Sequence, residues 1–282
     1  KAMTSHKATC QLVFQRRPCS NRTRRPLWPL LPLRRGPLQP LQKFAGVYPH
    51  HGAIQRYKVH PARYVHKLPD DISFSSASLL EPLSVALHAL RITPIHVGTP
   101  VAVFGAGPIG LLTMAAVRAS GAHPIVITDV DTSRLEYAKA FEPNCLTYQV
   151  CLGPTPEKSG GGIRELFQQK LSSTSTYEAL EYEMPALVLE CTGVESSTIS
   201  AAYTVRRGGS INVVGVSPKS LISNVPFMHL SLAEIQLRFI DRYHDTWPAG
   251  IRALQGKLVD PVKLASMVTQ KFKSEDAVRA ME

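Results

Sequence analysis

The most constraining feature of the sequence is a glycine motif between a strand pattern and a helix pattern. Residues 105–110 read Gly-Ala-Gly-Pro-Ile-Gly. The apolar run 100–104 before them is typical of a buried strand, and the small and apolar residues 111–119 after them are typical of a helix. Such a turn points backbone N–H groups outward at the positive end of the helix dipole. The motif therefore predicts a strand-turn-helix unit that binds a phosphate group.

A second strand pattern follows this helix and ends in an acid. Residues 124–128 are Pro-Ile-Val-Ile-Thr, and Asp129 stands nineteen residues after Gly110. A carboxylate there accepts the two hydroxyls of an adenosine ribose and repels a 2′-phosphate. Gly105 would permit the tight turn, and Gly107 would let backbone amides approach a pyrophosphate. An ordinary glycine turn with a solvent-facing acid does not explain this order, so the sequence predicts NAD binding rather than NADP binding.

Residues 98–225 continue to alternate strand patterns with helix patterns, which is typical of a parallel sheet. Further strands are expected at 186–191 and 210–215, with a helix at 196–205 between them. One helical piece is expected around 163–171. The predicted fold is therefore α/β, a doubly wound parallel sheet with the cofactor crevice at the carboxyl ends of the strands.

Three more helices are expected outside this alternation, one of them around Pro248 to Gln255. Residues 73–90 are predicted to be helical, with Ser75 or Ser76 as the N-cap, and Pro82 should start or kink the helix at Glu81. A terminal helix is expected from Ser274.

The charge is concentrated at one end of the chain. The net charge is +11, but residues 1–43 hold ten Lys or Arg and no acid, while the remaining residues are nearly neutral. No nucleic-acid-binding surface is expected on the neutral part. No apolar run of about 18 residues occurs, so no membrane span is expected. Five cysteines without metal-ligand spacing indicate neither a disulfide framework nor a zinc knuckle, and they favour a reduced, cytoplasmic setting.

Residues 81–86, Glu-Pro-Leu-Ser-Val-Ala, precede the glycine motif in an arrangement that resembles the zinc-dependent medium-chain polyol dehydrogenases. This family includes sorbitol, xylitol and L-arabinitol dehydrogenases. The resemblance runs from about Phe44 to Glu282, and it is strongest to the fungal pentitol enzymes, those acting on L-arabinitol in particular. Further segments with this resemblance are 45–52, 190–197, 226–231 and 242–248. It implies a Rossmann domain joined to a truncated GroES-like β-barrel catalytic domain.

The resemblance also implies roles for individual residues. Glu81 would be the carboxylate beside the catalytic zinc, although from the residues alone it reads equally well as an acid at a helix start. Arg242 or Tyr243 would touch the polyol. The implied NAD contacts are Gly105, Gly107, Pro108, Ile109, Gly110, Asp129, Arg134, Val214, Gly215, Val216, Asp241 and Arg242. The implied reaction is oxidation of a secondary alcohol, with hydride passing to NAD and zinc lowering the pKa of the alcohol.

The family also has a cysteine and a Gly-His-Glu segment as zinc ligands, and this sequence has no recognisable counterpart of either. Catalytic zinc sites use about three protein ligands, so impaired activity is expected. The alternatives are a non-catalytic NAD-binding remnant or gene-model fragment, a xylitol or sorbitol dehydrogenase, and a zinc-free reductase using NADPH. Asp129 argues against the last of these, because it repels the 2′-phosphate.

Four leucines of the basic segment stand where the family has its structural zinc cysteines. Leu27, Leu30, Leu33 and Leu41 follow one another at intervals of 3, 3 and 8 residues. A CTG leucine codon followed by T or C becomes a cysteine codon when it is read one nucleotide later. Residues 1–43 are therefore interpreted as disordered or translated out of frame, with chance spacing as the alternative. A leucine codon other than CTG at one of these positions would contradict the frame hypothesis.

Four regions are expected along the chain. Residues 1–43 form the aberrant segment, 44–90 a remnant of the catalytic domain, 91–225 the NAD domain, and 226–282 the part that completes the sheet. The resemblance implies a small polyol as substrate and a homotetramer, with no nucleic-acid or membrane partner.

Overall fold

The structure, a computed structural model, describes residues 57, 62, 65–171, 176–219 and 221–280. The aberrant segment 1–43, with its four leucines, lies outside the described residues. Most of the first part of the expected catalytic-domain remnant, residues 44–64, also lies outside them. The described residues divide into two units, one within residues 80–250 and one formed by the described residues before 80 together with 251–280. The four-region division expected from sequence stays a prediction.

The described residues form ten α-helices and six β-strands. The helices are α1 (Phe74–Ser78), α2 (Leu80–Ile92), α3 (Pro108–Ala119), α4 (Thr132–Phe141), α5 (Pro156–Leu171), α6 (Tyr177–Glu183), α7 (Glu195–Thr204), α8 (Phe227–Leu232), α9 (Trp247–Gln255) and α10 (Pro261–Ser266). The strands are β1 (Val101–Phe104), β2 (Ile125–Asp129), β3 (Leu146–Gln149), β4 (Leu187–Glu190), β5 (Ser210–Val213) and β6 (Gln236–Phe239). No helix in the described part of the chain combines the length and apolar character of a membrane span.

All six strands run parallel in the order β3-β2-β1-β4-β5-β6. Phe104 of β1 lies beside Thr128 of β2 and Glu190 of β4. The strand order therefore reverses between β1 and β4, and in sheets of this kind ligands bind at the carboxyl ends beside the reversal. The predicted doubly wound parallel sheet is confirmed.

Helices cover both faces of this sheet, which explains the continuous apolar runs of its central strands. β1 and β4 are buried at every position. Successive residues of a strand face opposite sides, so Val103 lies on the side of Gly110 in α3, whereas Ala102 and Phe104 lie on the side of α5, α7 and α8. On the latter face, Phe104 packs in one cluster with Ile163 and Phe167 of α5 and Ala201 of α7. Burying each large apolar side chain contributes about 1.5–3 kcal/mol.

The structure differs from the sequence expectations at several helices. The helix predicted at 73–90 is two helices separated at Leu79, and Ser73 rather than Ser75 or Ser76 is the N-cap. The proline-induced start at Glu81 was nearly right, because α2 begins one residue earlier and proline fits a first helical turn. The expected terminal helix is only a short 3₁₀ turn, Ser274–Asp276.

The strand β3 and the helix α4 were not predicted from the sequence, because their hydrophobic patterns are weak. β3 lies at the sheet edge, where its residues alternate between part-buried and exposed. α4 buries Leu135, Ala138 and Phe141 while most of its other side chains are exposed. Both patterns follow from edge position and one-sided packing.

Three polar contacts, two of them buried, fix α2, the helix that carries Glu81, within the larger unit. The side-chain amide of Asn212, on β5, donates to the carbonyl of Ala89 over 3.0 Å, and the Thr93 hydroxyl donates to the Asn212 Oδ1 over 3.1 Å. Near the start of the helix, the Thr246 hydroxyl donates to the carbonyl of Ser84 over 3.0 Å. These contacts join α2 to both β5 and the segment after β6.

The described part of the smaller unit contains α1 and α10. The Ser76 hydroxyl donates to the carbonyl of Pro261 over 2.9 Å. Asp260 caps α10 by accepting from the amide of Val262 over 2.8 Å. This unit contributes none of the site residues expected from sequence.

Candidate functional site

The glycine turn at residues 105–110 depends on close backbone contacts. Gly105 has φ of +96°, and a Cβ there would lie 2.9 Å from the Cγ2 of Thr192. A Cβ on Gly110 would lie 1.8 Å from the carbonyl oxygen of Gly105. The Gly105 amide donates to the Thr128 carbonyl over 2.7 Å, so the turn is also attached to β2. Glycine is required at both positions because a side chain has no room.

The start of α3 is open, unlike the packed turn before it. Gly107 is the N-cap and makes no side-chain cap hydrogen bond, and Pro108 is the first helical residue. A Cβ on Gly107 would meet nothing within 4 Å. Ile109 is half-buried and Pro108 is exposed. The positive end of a twelve-residue helix therefore faces open space, which suits a pyrophosphate.

Asp129 is buried at the end of β2, and both of its oxygens accept backbone hydrogen bonds. Its Oδ2 accepts from the amide of Ala106 over 2.8 Å, and its Oδ1 accepts from the amide of Asp131 over 3.0 Å. The residue is 8% exposed. Each carboxylate oxygen has a further lone pair for a ligand hydroxyl. Asp129 therefore links the glycine turn to β2, and its remaining lone pairs can accept hydrogen bonds from a ligand in the crevice.

Arg134 lies beside this acid on α4. Its Nη1 is 3.9 Å from the Oδ2 of Asp129, and its Nε is 4.0 Å from the Oδ2 of Asp131. The Arg134 side chain is 58% exposed, so it can reorient toward a ligand. The structure thus brings Asp129, Arg134 and the glycine turn close together.

The loops after β4 and β5 meet at a second set of glycines. A Cβ on Gly215 would lie 2.1 Å from the amide nitrogen of Gly193. The amides of Val214 and Gly215 both donate to the carbonyl of Glu190, over 2.7 and 2.9 Å. Val214 is buried, whereas Val216 is 89% exposed. The expected contacts at 214–216 therefore lie at the carboxyl edge, next to the strand reversal.

A buried carboxylate organises these loops, and sequence reasoning did not assign it a role. Glu190 has no solvent exposure. It accepts from the amides of Thr192 and Gly193 over 2.8 and 3.0 Å, from the Ser197 hydroxyl over 2.9 Å, and from the Thr192 hydroxyl. One feature of the sequence could have indicated this role: Glu190 ends a buried apolar strand, and a buried acid needs several hydrogen-bond donors.

Glu81, Arg242 and Tyr243 come close together although they are far apart in the chain. Burial raises the pKa of Glu81, and the charge of Arg242 opposes that shift. Burial also raises the pKa of Tyr243, against a hydrogen bond with Trp247, and the Glu81 charge adds to the increase. Arg242 has φ of +56°, a strained conformation for a residue with a side chain. Asp241, the last expected cofactor contact, is exposed beside it.

The described residues do not bring a set of metal ligands together. No group of three or more His, Cys, Asp or Glu side chains is arranged to hold a metal ion in the described part of the chain. Glu81 has the Arg242 guanidinium as its charged neighbour instead. These residues by themselves do not fit a zinc ion, which uses about three protein ligands in catalytic sites.

The three described cysteines are expected to react at very different rates. Cys151 is exposed, Cys145 is buried, and burial raises the pKa of Cys191 to about 12. The Cys191 sulfur lies 3.7 Å from both the Thr113 hydroxyl and the Leu189 carbonyl. Because the thiolate is the reactive form, iodoacetamide at pH 8 should label Cys151 well before the other two. Site-resolved mass spectrometry checks this order, and early labelling of Cys191 would contradict the packing described.

Comparisons with known proteins agree with this arrangement. The family model described as zinc-binding dehydrogenase matches residues 108–256. The chain is 44% identical over 239 residues to an L-arabinitol 4-dehydrogenase of Aureobasidium melanogenum, covering 85% of this chain and 60% of the relative. It is 34% identical over 245 residues to a chicken (Gallus gallus) sorbitol dehydrogenase, covering 87% of this chain and 63% of the relative. The chain thus spans about three fifths of the length of the curated relatives it matches.

Solved structures show the same fold. An Escherichia coli alcohol dehydrogenase in complex with NADH superposes with a TM-score of 0.63 at 21% identity, covering 79% of this chain and 59% of that one. The Escherichia coli L-idonate 5-dehydrogenase superposes with a TM-score of 0.61 at 23% identity, covering 77% of this chain and 56% of that one. The sequence-based resemblance to the polyol dehydrogenases is confirmed. Since the family match covers more than half of its residues, the chain belongs to the zinc-binding dehydrogenases.

Proposed function

We propose that the chain binds NAD along the carboxyl edge of its sheet. The observation that carries this proposal is Asp129 at the end of β2, hydrogen-bonded through Oδ2 to the glycine turn. The open start of α3 supports pyrophosphate binding there, and the lone pairs of Asp129 support ribose binding. The exposed Arg134 would cover the adenosine end, and residues 214–216 with 241–242 would flank the nicotinamide.

We further propose that this dinucleotide site belongs to an enzyme that oxidises a secondary alcohol of a pentitol. The support is the similarity to proteins named L-arabinitol 4-dehydrogenase, five of which are 41–44% identical to this chain. NAD, when bound, accepts the hydride from the carbinol carbon. Arg242 and Tyr243 would contact the polyol hydroxyls, and the raised pKa of Tyr243 keeps its phenol a hydrogen-bond donor. Xylitol and sorbitol are the alternative substrates.

A second candidate is NAD binding without turnover. It is favoured by the ligand set around Glu81, where the described residues supply too few donors for a zinc ion. Glu81 would hold the metal only together with other ligands. No catalytic step of this chain is assigned to zinc.

Loss of the Asp129 carboxylate is expected to weaken NADH binding. Asp129→Ser removes the acceptor of two ribose hydroxyls and the Oδ2 that holds the Ala106 amide, so the affinity should fall about 10- to 100-fold. Fluorescence titration of the full chain with NADH measures this change. Glu136→Ser, which removes an exposed acid from the neighbouring helix α4, is the matched control and should change the affinity less than about twofold. Equal affinities in all three proteins would contradict the proposed site.

Metal analysis and turnover separate the two candidate functions. Bound zinc together with NAD-dependent oxidation of L-arabinitol would support the dehydrogenase, whereas NADH binding without zinc or turnover would support the non-catalytic candidate.

We also propose a homotetramer in the cytoplasm, as the family resemblance implies. Gel filtration with light scattering and cell fractionation test these two points.

A further inference from the structure

Two acids and one arginine lie close together where β2 leads into α4: Asp129 ends β2, Asp131 caps α4 and Arg134 lies in its first turn. Arg134 lies 3.9 Å from an oxygen of Asp129 and 4.0 Å from an oxygen of Asp131. Asp129 is the ribose-binding acid of the proposed function. Asp131 has no role in that proposal, although it also faces the guanidinium.

The two oxygens of Asp131 have different partners. Oδ1 caps α4 by accepting from the amide of Ser133 over 2.8 Å and from its hydroxyl over 2.7 Å. Oδ2 faces the Nε of Arg134. The hydrogen bond from the Ser133 hydroxyl, followed by the one from its amide, lowers the pKa of Asp131, so this acid is charged at neutral pH. A substitution can therefore remove the charge of Asp131 and still keep the hydrogen bond that caps α4.

An adenosine ribose with a 2′-phosphate would bring its negative charge to this turn. Arginine recognises phosphate with two parallel hydrogen bonds, provided that its guanidinium is free to turn toward it. Here the Arg134 guanidinium lies between two carboxylates that compete with such a phosphate. Each contact is at the long end of ion-pair distance and partly exposed, so each alone is weak. Together they favour the orientation toward the acids.

We propose that Asp131 is a second determinant of the preference for NAD over NADP, because it holds Arg134 away from a 2′-phosphate and adds a repelling charge. This inference rests on the proposed NAD function, and it concerns how the same site excludes dinucleotides with a 2′-phosphate. Replacing Asp129 alone leaves Asp131 in place and therefore leaves Arg134 engaged. Replacing both acids converts Arg134 into a phosphate-binding residue.

The test is titration of the full-length chain with NADPH and NADH by fluorescence, using Asp129→Ser, Asp131→Asn and the double variant. Asparagine caps helices as well as aspartate does, so Asp131→Asn removes the charge and keeps the cap. We expect the second substitution to strengthen NADPH binding by about tenfold in the Asp129→Ser background. Adding Arg134→Gln should abolish that gain. Asp131→Ser, with a different capping side chain, should reproduce the result.

Glu136→Gln in the Asp129→Ser background is the matched control, because it removes an exposed acid of α4 just beyond Arg134. An equal NADPH gain from this control would overturn the proposal, since general charge would then explain it. A gain from Asp131→Asn below about twofold, or one that survives loss of Arg134, would also overturn it. If the unchanged chain binds no NADH, the proposed function fails, and this inference fails with it. If the unchanged chain binds NADH and no NADPH gain appears, only this inference fails.

Discussion

Replacing Gly110 by alanine is expected to lower the free energy of unfolding by about 3 kcal/mol. The added Cβ would lie 1.8 Å from the carbonyl oxygen of Gly105, which is a backbone atom that cannot rotate away. Either α3 or the turn must shift. Because this turn also holds the amide of Ala106 against Asp129, NADH binding should be lost together with stability.

Urea denaturation followed by tryptophan fluorescence measures the stability change, with Gly161→Ala as the matched control. Gly161 lies inside α5, and a Cβ there would meet nothing within 4 Å. Alanine at this helical position should raise stability by about 0.5–1 kcal/mol. Equal effects of the two substitutions would show that the close approach of α3 to the turn is absent.

Removal of the Glu190 carboxylate is expected to cost about 3–5 kcal/mol of stability, because several buried donors lose their acceptor. Glu190→Ala would leave the amides of Thr192 and Gly193 and two hydroxyls, those of Thr192 and of Ser197 on α7, without their buried acceptor. Leaving such donors unsatisfied costs more than the hydrogen bonds themselves contribute. The loop at 191–193 packs against both Gly105 and Gly215. Its loss of order should therefore extend to the glycine turn and to the loop after β5, both at the carboxyl edge of the sheet.

Glu190→Gln is the informative companion variant. It keeps the volume and one acceptor oxygen but turns an amide donor toward other donors, so an intermediate loss is expected. Glu157→Ala, at an exposed position of α5, should change stability by less than about 0.5 kcal/mol. Circular dichroism melts of all three variants provide the measurement. A Glu190→Ala protein as stable as the Glu157→Ala protein would rule out the buried network.

Much of the fold followed from local patterns. β1, β2 and β4 are mostly apolar runs that are buried at every position, because helices cover both faces of a parallel sheet. β5 is equally buried, although it carries Ser210 and Asn212. The edge strand β3 and the one-sided helix α4 lack such patterns, and they were missed for that reason. The break at Leu79 was also missed, since residues on both sides of it favour a helix.

Half of the candidate site was predictable in the same way. Gly105, Gly110 and Asp129 are separated by a fixed strand, turn and helix, so their spacing alone predicted that they meet. Glu190 and Asp131 were not found, because their partners depend on which loop amides and side chains lie next to them. The approach of Glu81 to Arg242 was suggested by resemblance and not by any spacing between α2 and the segment after β6.

The sequence by itself determined the buried strands β1, β2, β4 and β5, the glycine turn and the acid that indicates NAD, because each is encoded within one short stretch of chain. Only the tertiary structure decided that Asp129 accepts from the turn it follows, that Glu190 joins two loops, and that Arg134 lies between two carboxylates. These contacts depend on distances between separate elements, and those distances are set by packing of the sheet and its helices.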